Sequence, residues 1–242
     1  MKSFNLNKDI VLDDLIIYIN SINTLVLGDL HLGYEENLHT EGFLIPKSHF
    51  SDMKKKITTA IKKYSPESIV LIGDIKHTFH RDPFKVSKNI KELFDYLSVN
   101  CKKLYILKGN HEKLLKSNKL NNYDLLESKK IGDYFFCHGH IFPENMNLNN
   151  VKTIIIGHVH PAIKLCDYSR KESYKCFLYG KFKKYKLLVL PSLNLITRGM
   201  DVIENLPNSP FITNMNSMNV FIVGKEILNF GKVSVIQKRL YN

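Results

Sequence analysis

Five short segments of this chain combine glycine with side chains that can bind metal ions. Imidazole and carboxylate groups together are typical ligands of divalent transition metals, and cysteine occurs in only one segment, which disfavours a structural zinc site. One ion takes three or four protein ligands, whereas these segments offer about twice that number. The segments read GDLH at 28–31, GDIKH at 73–77, GNHE at 109–112, CHGH at 137–140 and GHVH at 157–160. Their candidate residues are Asp29, His31, Asp74, His77, Asn110, His111, His138, His140, His158 and His160.

Each segment taken alone has a plainer explanation. A single buried histidine is more often a hydrogen-bonded core residue than a ligand, and a single Gly-Asp at a strand end is more often a turn. Five such segments in succession, each at the end of a predicted strand, are poorly explained by coincidence.

Apolar runs and helical patterns in the first half of the chain indicate how these segments are positioned. Strands are predicted at 14–19, within 24–33 with its end at Gly28, at 68–74 and at 103–111. An amphipathic helix is predicted at 46–64 and a second helix at 83–97. Repeated strand, loop and helix units favour an α/β protein with largely parallel central strands. Ligands of such sheets bind beyond the carboxyl ends of the strands, so the segments should converge on one crevice. Glycine beside each polar residue lets the backbone turn tightly and come close to whatever occupies it.

The second half of the chain has a different pattern. Strands are predicted at 133–140, 153–160, 175–192 and 219–238, with few convincing helices between them. A second, more antiparallel sheet fits this pattern, and the lysine-rich stretch at 181–186 is expected to be a solvated turn.

The charge balance is compatible with a phosphate-bearing partner. The chain has 242 residues and a formal net charge of +12, and a basic surface attracts nucleic acid. A general lysine and asparagine bias explains part of the excess, because the only arginines are Arg81, Arg170, Arg198 and Arg239.

The apolar runs and cysteines point to a cytoplasmic protein without membrane contact. No apolar run approaches 18 residues, and the first residues suit neither a signal peptide nor a membrane span. The four cysteines show no metal or redox spacing and are expected to be reduced thiols.

Taken together and in order, the five segments resemble the signature of the calcineurin-like metallophosphoesterases. That signature is Asp-x-His, Gly-Asp-x-x-(Asp or His), Gly-Asn-His-(Glu or Asp), His and Gly-His-x-His, and its matches span residues 29–160. The resemblance implies an α/β fold, a four-layer αββα sandwich of two mixed β-sheets flanked by helices.

The resemblance also implies a role for each residue. Asp29, His31 and His160 would hold one metal ion, Asn110, His138 and His158 a second ion, and Asp74 would bridge the two. His111 would lie over the phosphate and His77 would face the substrate, whereas His140 would orient a ligand by hydrogen bonding. The cofactors are then two divalent metal ions; we expect Mn²⁺, with Fe²⁺, Zn²⁺ and Ni²⁺ left open. Hydrolysis would proceed by attack of a hydroxide that bridges the ions.

The second motif separates the branches of this family. GDIKHTFH lacks the Gly-Asp-x-Val-Asp-Arg-Gly of the Ser/Thr protein phosphatases and is similar to the Mre11/SbcD nucleases. The stretches LGDLHLGYEENLHTEGFLIP and LVLPSLNLITRG are similar to short archaeal SbcD/Mre11-related proteins and to DNA-ligase-associated phosphoesterases.

The short stretch after GHVH leaves little room for a DNA-capping domain, so we expect a single domain over 1–242. The short relatives imply a phosphodiesterase acting on nucleic acid or nucleotides. A small-molecule phosphomonoesterase, a nucleotide pyrophosphohydrolase and a non-catalytic scaffold remain alternatives, and the family leaves a homodimer open.

Overall fold

A computed structural model describes residues 3–44, 48–77, 83–111, 119–120, 123–167 and 170–241. Pro46, which the sequence places at the start of a helix, and Glu112, the last residue of the third motif, lie outside these residues.

The first sheet is built from the first half of the chain. Its strands are β1 (Phe4–Asn5), β2 (Ile10–Asp13), β3 (Ile16–Ile19), β4 (Thr24–Gly28), β5 (Ser68–Ile72), β6 (Lys103–Leu107), β7 (Lys119–Leu120) and β8 (Tyr123–Leu126). They lie in the order β1-β2-β3-β4-β5-β6-β8-β7, and β4, β5, β6 and β8 run parallel. The predicted parallel centre and the predicted end of β4 at Gly28 are thus confirmed. Strands β5 and β6 end earlier than predicted, at Ile72 and Leu107, because the polar motifs leave the sheet there.

The second sheet is mixed. Its strands are β9 (Ser128–Ile131), β10 (Tyr134–Cys137), β11 (Thr153–Ile156), β12 (Pro161–Asp167), β13 (Arg170–Phe182), β14 (Tyr185–Val189), β15 (Met200–Asp201), β16 (Asn219–Val223) and β17 (Ile227–Lys232). Strands β10, β11 and β14 are parallel neighbours, and most other pairs are antiparallel. Lys183 and Lys184 are exposed at the β13–β14 turn, as predicted.

Four helices flank the sheets among the described residues: α1 (Tyr34–Thr40), α2 (His49–Tyr64), α3 (Pro83–Val99) and α4 (Val233–Tyr241). Helices α2 and α3 match the predicted ones. The predicted strand over 219–238 is wrong beyond Lys232, where α4 begins. Although Val233 and Ile236 are β-branched, they lie three residues apart and are both buried against the second sheet, so packing overrides their strand propensity. None of the described helices has the length and apolar character needed to cross a membrane.

Alternation along the strands creates three apolar layers. In β5, Ile69 and Leu71 pack with α2 and α3, while Val70 and Ile72 face the second sheet. In β11, Ile155 faces the first sheet. Ile154 and Ile156 point to the opposite face of the second sheet, where they pack in one apolar layer with α4. This period of two is that of strands buried on both faces. The result is the predicted four-layer αββα sandwich, with α4 and the irregular segment 202–218 as its fourth layer.

Candidate metal centre

The predicted ligands from the two sheets meet at the carboxyl ends of β4, β5, β6, β10 and β11. Among the described residues, three groups of side chains each offer ligand atoms that all lie within 4.8 Å of one another, and two of these groups consist of predicted ligands alone. The first group is Asp29, His31, Asp74 and His160, and the second is Asp74, His138 and His158. Only Asp74 belongs to both groups, which is the position that a bridging carboxylate requires.

The first group is centred on Asp29, which is fully buried. Its Oδ1 lies 3.0 Å from His138 Nε2 and 3.3 Å from His160 Nε2. The Nε2 atoms of His31 and His160 lie only 3.1 Å apart, and His31 Nε2 is 3.8 Å from Asp74 Oδ2. Nitrogen lone pairs and carboxylate oxygens therefore point at a common volume.

Asn110 supplies an independent test of whether a metal fits. Its Oδ1 is buried and meets no hydrogen-bond donor among the described residues. An unpaired buried acceptor costs about 1–3 kcal/mol, and a cation beside it would remove that cost. Its amide oxygen, together with carboxylates and imidazoles, makes a donor set suited to Mn²⁺, Fe²⁺ or Zn²⁺. The residues present thus fit a divalent metal ion.

Outer contacts of two histidines fix how their rings are oriented. His138 Nδ1 lies 2.9 Å from His140 Nδ1, while its Nε2 faces the carboxylates. His158 Nε2 lies 3.1 Å from the Asn208 carbonyl oxygen, so donation there leaves the lone pair on Nδ1. Such partners commonly orient metal-binding histidines. The structure thus places His140 where its predicted orienting role requires; the role itself stays a prediction.

His77 and His111 lie beside His31. The three side chains offer nitrogen atoms within 4.8 Å of one another, and the His77 and His111 rings are 5.4 Å apart. The backbone N–H of His111 donates to Asp74 Oδ1 at 3.0 Å, which anchors the third motif to the second. Both predicted substrate-facing histidines are therefore at the centre, where three imidazoles could also hold an ion.

The charges of the protein groups follow from burial and from these contacts. Burial disfavours the charged forms of Asp29 and Asp74. The neighbouring His160 and His138 outweigh burial at Asp29 and lower its pKa, and His138 outweighs burial at Asp74 and lowers its pKa. Burial, helped by His160, lowers the pKa of His31 to about 3. Burial also opposes charge on His138, yet hydrogen bonds with the two aspartates raise its pKa to about 10.

The backbone of the predicted ligands is unusual. Asp29, His31, Asp74, His158 and His160 all have φ between 43° and 66°, the left-handed region. Each such residue costs about 1–2 kcal/mol when it is not glycine. Strain of this kind clusters at functional sites, because it aims a side chain that regular strand geometry would point elsewhere.

Three motif glycines make room for ligand side chains. A Cβ on Gly73 would lie 2.2 Å from His138 Cδ2, one on Gly109 would lie 2.1 Å from Asp74 Oδ1, and one on Gly157 would lie 2.5 Å from Asp29 Oδ2. A Cβ on Gly28 would make only ordinary contacts, with Leu190 at 3.6 Å and the Ile72 carbonyl oxygen at 3.9 Å. The predicted close approach of the glycine backbone is therefore present at Gly73, Gly109 and Gly157, where the nearest side chain is a predicted metal ligand. It is absent at Gly28.

The spacing of the motifs did not predict the side chains that hold the backbone of the first motif in place. Ser192 Oγ donates to the Asp29 carbonyl oxygen at 2.7 Å, and Asn194 Nδ2 donates to the Leu30 carbonyl oxygen at 3.0 Å. Lys175 Nζ in turn donates to the carbonyls of Ser192, at 2.8 Å, and Asn194. Burial lowers the pKa of Lys175 to about 7. The stretch LVLPSLNLITRG was the available signal, but nothing in it indicates a partner so distant in the chain.

Comparison with known proteins agrees with the fold. Among solved structures, the chain resembles a Pseudomonas putida nuclease MPE, with a TM-score of 0.63, 15% identity, and coverage of 95% of this chain and 99% of that one. An Entamoeba histolytica Vps29 single mutant has a TM-score of 0.39 and 15% identity over 86% and 99% of the two chains. The E. coli phosphoesterase Yfce has a TM-score of 0.39 and 13% identity over 84% and 88%.

No curated protein sequence matches the chain. The family model described as calcineurin-like phosphoesterase matches residues 22–199, which include every predicted ligand. This match covers most of the chain and agrees with the sandwich fold and the clustered ligands. The chain therefore belongs to the calcineurin-like phosphoesterase family.

Proposed function

We propose that this protein is a phosphodiesterase that cleaves nucleic acid with two divalent metal ions, Mn²⁺ being the ion we expect. One observation carries the proposal: two groups of ligand atoms share Asp74, and two further histidines, His77 and His111, lie beside one group. A family whose members are metal-dependent phosphoesterases supports the reaction type.

The chain's own residues have separable tasks in this reaction. When bound, two divalent ions lower the pKa of a water molecule and neutralise charge on the phosphate. Asp29 and Asp74 supply the negative charge that retains cations, and neutral His31 keeps a lone pair available. His111, whose backbone N–H is bonded to Asp74, would contact a phosphate oxygen or protonate the leaving oxygen. His77 beside it would orient the substrate.

Nucleic acid is the substrate class that we favour. The net charge of +12 supports a polyanionic partner. The structurally similar nuclease MPE adds support from its name, although 15% identity carries only the fold. We also propose a cytoplasmic location, which accords with the free thiols of Cys101, Cys137 and Cys176.

The experiment that tests this function compares bis(p-nitrophenyl) phosphate with p-nitrophenyl phosphate in Mn²⁺, with labelled single- and double-stranded DNA in parallel. Hydrolysis of the diester together with degradation of DNA supports the proposal. Diester hydrolysis alone would indicate a small nucleotide substrate, and monoester hydrolysis alone a phosphatase.

Asp74→Asn and His158→Ala should abolish all hydrolysis, and a wild-type rate in either variant would refute the two-metal assignment. Absence of all hydrolysis with metals bound would favour a scaffold.

A further inference from the structure

A cavity of about 460 Å³ opens beside the turn between β13 and β14, away from the metal centre. Its walls include the aromatic rings of Phe142, Phe182 and Tyr185 and the side chains of Lys183 and Lys184. This volume lies within the usual range of small-ligand sites, about 300–1,000 Å³.

The lining combines flat apolar surface with positive charge. Phe142 is 46% exposed although its ring packs on Phe182 at 5.8 Å. Lys183 Nζ lies 5.3 Å from the Phe182 ring centroid, and Lys184 Nζ lies 5.5 Å from that of Tyr185. A purely apolar ligand would leave the ammonium groups unused, and a simple anion would leave the rings unused. A nucleobase with its adjacent phosphate uses both, as in proteins that bind single strands.

The cavity is connected to the metal centre by the segment that follows His140. A second cavity, of about 180 Å³, is lined by Gly109 and His140 of the centre and by Ile141, directly before Phe142. Ile141 is 44% exposed and continues the apolar surface. Lys108, Glu127 and Glu144 also line this smaller cavity, and Lys108 Nζ lies 3.9 Å from Glu127 Oε1. Because the ammonium of Lys108 already faces a carboxylate and a second carboxylate lies nearby, phosphate contacts are expected at the Lys183 end of the path and apolar contacts in its middle.

Strand register gives the length of this path. Val189 pairs with Ile156, immediately before the GHVH motif, and Tyr185 lies at the opposite end of the same strand, β14. Four residues at about 3.3 Å each separate these ends by roughly 13 Å. At about 3.4 Å per stacked nucleotide, the path corresponds to roughly four nucleotides.

We propose that this cavity binds a base and the neighbouring phosphate of a single strand, about four nucleotides from the bond that is cleaved. Phe142 and Tyr185 stack on the base, and Lys183 and Lys184 contact the phosphate. The inference rests on the proposed nuclease function, and the experiment separates the two.

The test measures KM for oligothymidylates of two to twelve nucleotides, with bis(p-nitrophenyl) phosphate as a substrate too small to reach the cavity. For wild-type protein, KM should fall as length passes about four nucleotides. Phe142→Leu, which keeps apolar contact but removes the ring, should raise KM for long substrates about 5- to 10-fold. Lys183→Glu with Lys184→Glu should do the same and should lower the slope of log KM against log salt by about 1.4.

The controls distinguish an effect of this cavity from a general effect of net charge and from a loss of catalysis. Lys62→Glu with Lys103→Glu makes the same charge change at exposed positions on the first sheet's side and should leave the length dependence intact. All variants should hydrolyse the small diester at the wild-type rate. Equal length dependence in wild-type and cavity variants would overturn this inference while the nuclease function stood. Small-diester hydrolysis without DNA cleavage would overturn both, and no hydrolysis at all would refute the function first.

Discussion

Gly109→Ala is the substitution whose effect can be worked most directly from the structure. The added Cβ would lie 2.1 Å from Asp74 Oδ1 and 2.2 Å from Asp74 N, whereas ordinary contact begins near 3.4 Å. Rotating the carboxylate cannot relieve both contacts, because one of them is with the backbone. Asp74 must therefore move by about 1 Å relative to the third motif.

A movement of this size should remove most of the activity. Metal–ligand distances tolerate only about 0.2 Å, and a 1 Å misplacement costs roughly 100-fold in rate. Overpacking should also lower the free energy of unfolding by about 1–3 kcal/mol, which for a chain of this length lowers Tm by roughly 2–12 °C. We expect kcat/KM for the small diester to fall about 100-fold, with weaker Mn²⁺ binding by calorimetry.

Gly28→Ala is the matched control, since Gly28 also directly precedes a predicted ligand. There the new Cβ would make only ordinary contacts, at 3.6 Å or more, so activity within about twofold of wild type is expected. Gly157→Ala, with a 2.5 Å approach to Asp29 Oδ2, should behave like Gly109→Ala. Wild-type metal affinity and activity in Gly109→Ala, or equal losses in all three variants, would refute the close-approach explanation.

Three further predictions concern the support, the substrate side and the protonation of the centre. Lys175→Met leaves the buried carbonyls of Ser192 and Asn194 without the ammonium group that donates to them. The free energy of unfolding should therefore fall by about 2 kcal/mol in urea titrations, and Mn²⁺ affinity should fall with it. Lys181→Met, at an exposed position of the same strand, is the control, and an equal change there would contradict the proposed support. His111→Ala should lower turnover about 10²- to 10⁴-fold while metal content by plasma mass spectrometry stays unchanged; loss of an ion would make His111 a ligand. The pKa of His138 is raised from 6.5 to about 10, so without metal the imidazole keeps its proton between pH 6.5 and about pH 10. A histidine that binds a metal ion must be neutral. Mn²⁺ binding at pH 8 should therefore release about one proton, measured by calorimetry in two buffers, and affinity should strengthen as pH rises towards 10; binding without proton release would show that His138 is already neutral.

Local sequence was sufficient for several features of the fold. The apolar runs of β4, β5 and β6 predicted parallel strands, because burial on both faces requires continuous hydrophobic residues. The spacing of apolar residues in α2 and α3 predicted helices for the same kind of reason. The pattern was misleading at Val233, where β-branched residues suggested a strand and contact with the second sheet produced α4 instead.

The sequence by itself determined which residues form the candidate centre, since their types, their order and their position after apolar runs were all visible in it. Tertiary structure alone decided how they are arranged: Asp74 lies between the two ligand groups, and Lys175 and Ser192 support the Asp29 backbone from a distant part of the chain. It also decided that Gly109 is spatially constrained whereas Gly28 is not. The physical reason is that each of these properties is a distance between residues far apart in sequence, and such distances arise only when the two sheets pack together.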